Sequence, residues 1–123
     1  MTNHKLRCMS SEQLVERFAA IGLEQDRALL ENEIATFNRL FDQMQAVSRE
    51  LKSRSGDQRR ALMKLYQHPN MQVRLKSAVA TLPVAPEAAR HMLELIAQSG
   101  WQPQAGDAGM AIVSIDRGIF KPT

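Results

Sequence analysis

The chain has 123 residues and a mass of 13.8 kDa, about one domain's worth. Hydrophobic residues make up 44% and charged residues 24%, which excludes disorder, a collagen repeat and a disulfide scaffold. The net charge of +3 is uneven: residues 11–53 hold eight Asp/Glu against five Lys/Arg, whereas residues 54–82 hold six Lys/Arg against one Asp.

Aromatic residues are only 5%, and β-branched residues are sparse beside Ala, Leu, Glu, Gln and Arg. That balance favours helices over sheet. Cys8 is the single cysteine, so no intrachain disulfide forms and a cytoplasmic setting is expected. His4, Lys5 and Arg7 precede no apolar run, and no segment approaches the roughly 20 apolar residues of a membrane span. Met9 resembles an alternative start. Residues 1–10 are therefore expected as a flexible extension and residues 11–123 as the folded domain.

The first long helix is expected from Ser10 or Ser11. Ser10 and Gln13 stand at capping-box spacing, and Leu14, Phe18 and Ile21 follow at helical steps, with Ala28, Leu29 and Leu30 beyond. The polar run 31–33 marks a junction. In the second helix Ile34, Phe37, Phe41, Met44, Val47 and Leu51 form one apolar stripe that ends before Gly56. Asp57 opens a third helix to about Gln67, with Ala61, Leu62 and Leu65 inward. His68-Pro69 breaks it, and Asn70 caps a fourth carrying Val73, Leu75, Ala78, Val79 and Leu82. Pro86 suits the first turn of a fifth, with Ala89, Met92, Leu93 and Ile96 inward and Ser99-Gly100 as its stop. Residues 101–107 read as loop. Asp107 is expected to cap a sixth helix to about Asp116, with Met110, Val113 and Ile112 packing; a short strand over 111–115 is the alternative.

The segment Leu62-x-x-Leu65, His68-Pro69-Asn70, Val73-Arg74, Ala78 and Leu82 resembles a HEAT or armadillo-type repeat. The chain from about Glu12 to Pro122 also resembles a bacterial family, the domain of unknown function twenty-nineteen. Leu14-Val15-Glu16-Arg17-Phe18, Asn38-Arg39-Leu40-Phe41, Ala85-Pro86-Glu87-Ala88-Ala89-Arg90, the Trp101–Met110 stretch and Gly118-Ile119-Phe120 carry it. The resemblance implies an all-α, armadillo/HEAT-like α–α superhelix of about six helices in a single domain. It implies no activity.

Two surfaces stand out. Trp101 is the only tryptophan and lies in a Gly/Pro-containing loop, where binding residues concentrate. Trp101, Gln104 and Asp107 are the expected partner-binding residues; the competing reading has Trp101 plugging the end of the core. Arg54, Arg59, Arg60, Lys64, Arg74 and Lys76 are the expected contacts if the partner is nucleic acid. The competing readings are scattered solvated charge and, by the HEAT resemblance, an Arg74 that bonds neighbouring turns. His4, Cys8, His68 and His91 fall at no metal-ligand spacing, and no nucleophile elbow, P-loop or HExxH motif is present. The expectation is thus a non-enzymatic module without metal or cofactor, which binds a protein partner as an adaptor or toxin-neutralising immunity protein. Nucleic-acid binding is the alternative, and an enzyme with a groove site comes third. No membrane contact is expected. Met1, Met9, Met71 and Met92 are candidates for an apolar edge.

Overall fold

A computed structural model describes residues 3–123, with side chains from His4 onward. The expectation for Met1 lies outside the described residues. All regular structure among them is helical: α1 (Asn3–Arg7), α2 (Ser11–Leu30), α3 (Ile34–Ser53), a 3-10 helix (Gln58–Gln67), α4 (Met71–Thr81), α5 (Pro86–Gln98) and α6 (Gln104–Asp116). The strand alternative over 111–115 is replaced by the last two turns of α6. The chain falls into two compact units, Met1–Ala61 and Leu62–Thr123.

Unit one is a helical hairpin of α2 and α3 with α1 packed on α3. The expected capping box forms: Ser10 Oγ accepts from the Gln13 amide at 3.1 Å, and Gln13 Oε1 accepts from the Ser10 amide at 2.8 Å. Asn32 takes a left-handed conformation (φ 56°), and the Glu33 amide donates to the Ala28 carbonyl at 2.8 Å, which closes a tight turn between the helices. Leu14, Phe18, Ile21 and Ala28 of α2 meet Leu40, Met44, Val47 and Leu51 of α3 in the core.

Two expectations of burial fail here. Leu29 and Leu30 end α2 facing solvent, and the α3 stripe is exposed at Ile34 and Phe41. Periodicity places residues on one face but does not say how far a neighbouring element covers it. The start of the chain differs as well. Residues expected to be loose form α1, whose Leu6 is buried. Arg54 fastens them: its Nη2 donates to the Leu6 and Met9 carbonyls at 3.2 and 2.6 Å, its Nη1 to Ser11 Oγ at 3.3 Å and its Nε to Glu50 at 3.1 Å.

The third predicted helix is a 3-10 helix. Three residues per turn bring Arg59, Leu62 and Leu65 onto one edge, and all three are buried. In unit two, α5 packs between α4 and α6. Leu75, Ala78, Leu82, Ala89, Met92, Leu93, Ile96 and Ala108 form its core. Asn70 caps α4 by accepting from the Val73 amide at 3.1 Å, and Pro86 occupies the first turn of α5.

Candidate functional site

The Trp101 region is built from the end of α5 and the start of α6. Gly100 turns the chain with φ 71°, a conformation that glycine adopts without steric cost. Ser99 Oγ donates to the Ile96 carbonyl at 2.6 Å and accepts from the Trp101 amide at 3.1 Å. The Gln102–Pro103 bond is cis. The Trp101 carbonyl accepts from the Ala105 amide at 2.8 Å, and Gln102 Oε1 accepts from the Gly106 amide at 3.1 Å. Hydrogen bonds therefore hold the Trp101 backbone on both sides, while the residue is 63% exposed. It does not plug the core.

These contacts correct the expected start of α6. The helix begins at Gln104, and Asp107 lies inside its first turn. The capping acceptor comes from Gln102, a residue outside the helix. The inner face of the helix is set by its period: Ala105 and Ala108 are buried and Ile112 and Ile115 pack on the core, at steps of three and four. Met110 is 71% exposed and Val113 also faces solvent, contrary to the expectation that both pack. That spacing was the signal in the sequence that would have found the outer face.

The three expected partner-binding residues separate. Trp101 and Asp107 are exposed, whereas Gln104 is only 1% exposed and is corrected to an internal role. Its Nε2 donates to Gln72 Oε1 of α4 at 2.9 Å, which pairs two buried amides. Asp107 approaches Lys76 of α4: burial holds the Lys76 ammonium below its ordinary pKa, and the Asp107 carboxylate works against that shift.

The six expected phosphate contacts separate too. Arg54 fastens the start of the chain, as described above. Arg59 is buried and donates from Nε and Nη2 to the Asp57 carboxylate at 2.9 and 2.7 Å. Arg74 Nε donates to the His68 carbonyl and closes the His68–Asn70 turn. Lys76 is half-buried, and only Arg60 and Lys64 are exposed. Three of the six thus serve internal acceptors, which a count of positive charge does not reveal.

His68 Nδ1 accepts from the Asn70 amide at 3.0 Å, His91 and His4 are exposed, and Cys8 carries an exposed thiol. Near the far end of α6 lies a hollow of about 470 Å³ lined by Leu82, Pro83, Pro86, Arg90, Ile115 and Pro122. The Arg90 guanidinium there forms two bonds to Asp116, at 2.7 and 3.0 Å. No helix among the described residues is long and apolar enough to cross a membrane.

The helices and this rigidly framed tryptophan define an all-helical protein with an aromatic side chain presented at a helix start. The chain belongs to the family described as Domain of unknown function (DUF2019), whose model matches residues 12–116. A solved structure, the protein RPA1889 from Rhodopseudomonas palustris CGA009, is 54% identical in sequence. The match covers 96% of this chain and 98% of that one, with a TM-score of 0.94. Among curated proteins no relative matches.

Proposed function

We propose that this chain is a non-catalytic protein-interaction module, of the adaptor or toxin-neutralising immunity type, that meets a partner protein through Trp101 and the outer face of α6. The exposure of Trp101 on a hydrogen-bonded turn carries the reading. A large aromatic whose backbone is already ordered loses little freedom on docking, and tryptophan is a frequent interface anchor. Met110 and Val113 add apolar area along the same helix, and Asp107 adds a carboxylate. An armadillo/HEAT-like relationship belongs to this reading, supported by the Arg74 bond that closes the turn before α4. So does a cytoplasmic setting, supported by the single cysteine with an exposed thiol. The adaptor and immunity roles rest on analogy with other small helical proteins.

The test is recovery of bound protein from the native host with the wild-type chain and with Trp101→Ala and Met110→Ala. Both variants should keep the wild-type melting temperature, because both side chains are mostly solvated. A partner lost by both variants supports the reading; one retained by both overturns it. The nucleic-acid alternative keeps Arg60 and Lys64 as its exposed cations. Binding that falls steeply with salt and vanishes in Arg60→Glu/Lys64→Glu would establish it instead.

A further inference from the structure

The apolar stripe of α3 emerges from the core of unit one before it reaches the α2–α3 turn. Ile34 is 68% exposed there, and Leu30 at the end of α2 is 82% exposed. The turn also holds a notch of about 100 Å³ lined by Ala28, Leu29, Asn32, Glu33, Ile34 and Phe37.

Leu30 also belongs to the outer face of α2. At 100° per residue, Glu12, Glu16, Leu23, Arg27 and Leu30 fall within a sector of about 60°, and all five are exposed. Glu24 and Glu31 border the sector and Glu33 follows in the turn, also exposed. Five carboxylates thus stand on or beside the sector, in which Arg27 is the cation; Arg39 of α3 acts on Glu33, and Arg17 of α2, next to Glu24 on the wheel, donates to Gln43. The Glu31 and Glu33 carboxyl groups come within hydrogen-bonding reach, which raises the Glu33 pKa, while Arg27 and Arg39 pull it down. A cationic group brought to this face would relieve that repulsion.

We propose that the outer face of α2, together with the α2–α3 turn, docks a cationic amphipathic helix of a partner protein. Its aliphatic residues cover Leu23, Leu30 and Ile34. Its Lys and Arg side chains meet the glutamates. The sector from Glu12 to Leu30 is about 27 Å long at 1.5 Å per residue, so it accommodates about five turns of helix. The same carboxylates repel nucleic-acid phosphates and anionic lipid, which leaves a cationic protein segment as the complementary occupant. The surface belongs to unit one and differs in chemistry from the Trp101 face, so the two readings stand or fall separately.

The experiment uses the full chain and a labelled synthetic amphipathic helix of leucine and lysine, about 18 residues long, read by fluorescence anisotropy. A leucine/glutamate helix of the same pattern is the control. The leucine/lysine helix should bind saturably and weaken as salt rises. Leu30→Ser/Ile34→Ser should weaken binding about tenfold or more by loss of apolar cover. Glu16→Lys/Glu24→Lys should weaken it and flatten the salt dependence. Trp101→Ala should change nothing. Absence of binding, equal binding by the wild type and both double variants, or equal binding of the leucine/glutamate helix overturns the proposal. Sedimentation provides a further decision. If the wild type self-associates and Leu30→Ser/Ile34→Ser is monomeric, a second copy covers the patch and the proposal is overturned. All the substituted positions are exposed, and helical circular dichroism with an unchanged melting temperature confirms folding.

Discussion

In unit one, α3 has α2 beside it and α1 packed near its C-terminal end. In unit two, α5 lies between α4 and α6. Both helices carry an apolar stripe at helical spacing. Along α5, Ala89, Met92, Leu93 and Ile96 are all buried, whereas along α3 burial holds for Met44, Val47 and Leu51 but is lost at Ile34 and Phe41. Burial of a stripe therefore extends only as far as the elements packed against it, and α1, a helix of five residues, covers little of α3.

The sharpest way to break this contrast is to truncate one residue of each kind. Leu93→Ala should cost about 2–5 kcal/mol, through lost burial and the cavity left behind. Ile34→Ala should stay within about 0.5 kcal/mol. Urea unfolding measures both, and comparable losses would show that the α3 stripe is covered after all. Arg54→Ala comes next. It removes the donor that fastens α1 and should cost about 1–3 kcal/mol, together with faster amide exchange in α1 and at the start of α2. Unchanged exchange there would show that Leu6 alone holds the segment.

A smaller effect appears with pH. The Arg59 guanidinium hydrogen-bonds to Asp57 and holds its carboxyl below the ordinary value of 3.8. The unfolded chain then binds the proton more readily, so this contribution is complete above pH 3.8 and is lost as pH falls through the lower folded value. Asp57→Asn should reduce the acid-side loss of melting temperature, and an identical acid limb in wild type and variant would remove Asp57 from the account. Smallest is Lys76→Met. It replaces a half-buried cation, whose pKa burial lowers, with an apolar chain of similar length. Stability should change by less than about 1 kcal/mol; a larger loss in urea unfolding would make the Asp107 attraction dominant.

Much of the fold was legible because its signals are local. Ser10 with Gln13, the 31–33 junction, Asn70 after His68-Pro69, and Pro86 each mark a helix end within a few residues, and the helices begin or end there. Where the structure differs, the cause acts at a distance or from outside the element. Arg54 reaches carbonyls more than forty positions away, at Leu6 and Met9. The capping acceptor of α6 sits on Gln102, before the helix, so the pattern at Asp107 points to a start three residues too late. Of the candidate site, Trp101 was legible from its loop. The outer face of α6 was not, because Met110 and Val113 face solvent while Ile115 joins Ile112 on the inner side.

The Gln72–Gln104 pair has a consequence for specificity of assembly. Two buried amides that pair across α4 and α6 act as a register pin, much as a lone buried asparagine does in a coiled coil. Rotating or sliding α6 by one residue would draw the Gln104 NH2 group off its Gln72 acceptor, while Ala105 and Ala108, being small and apolar, would tolerate several alignments. The polar pair thus selects one alignment among them, and with it the direction in which Trp101 is held out to solvent.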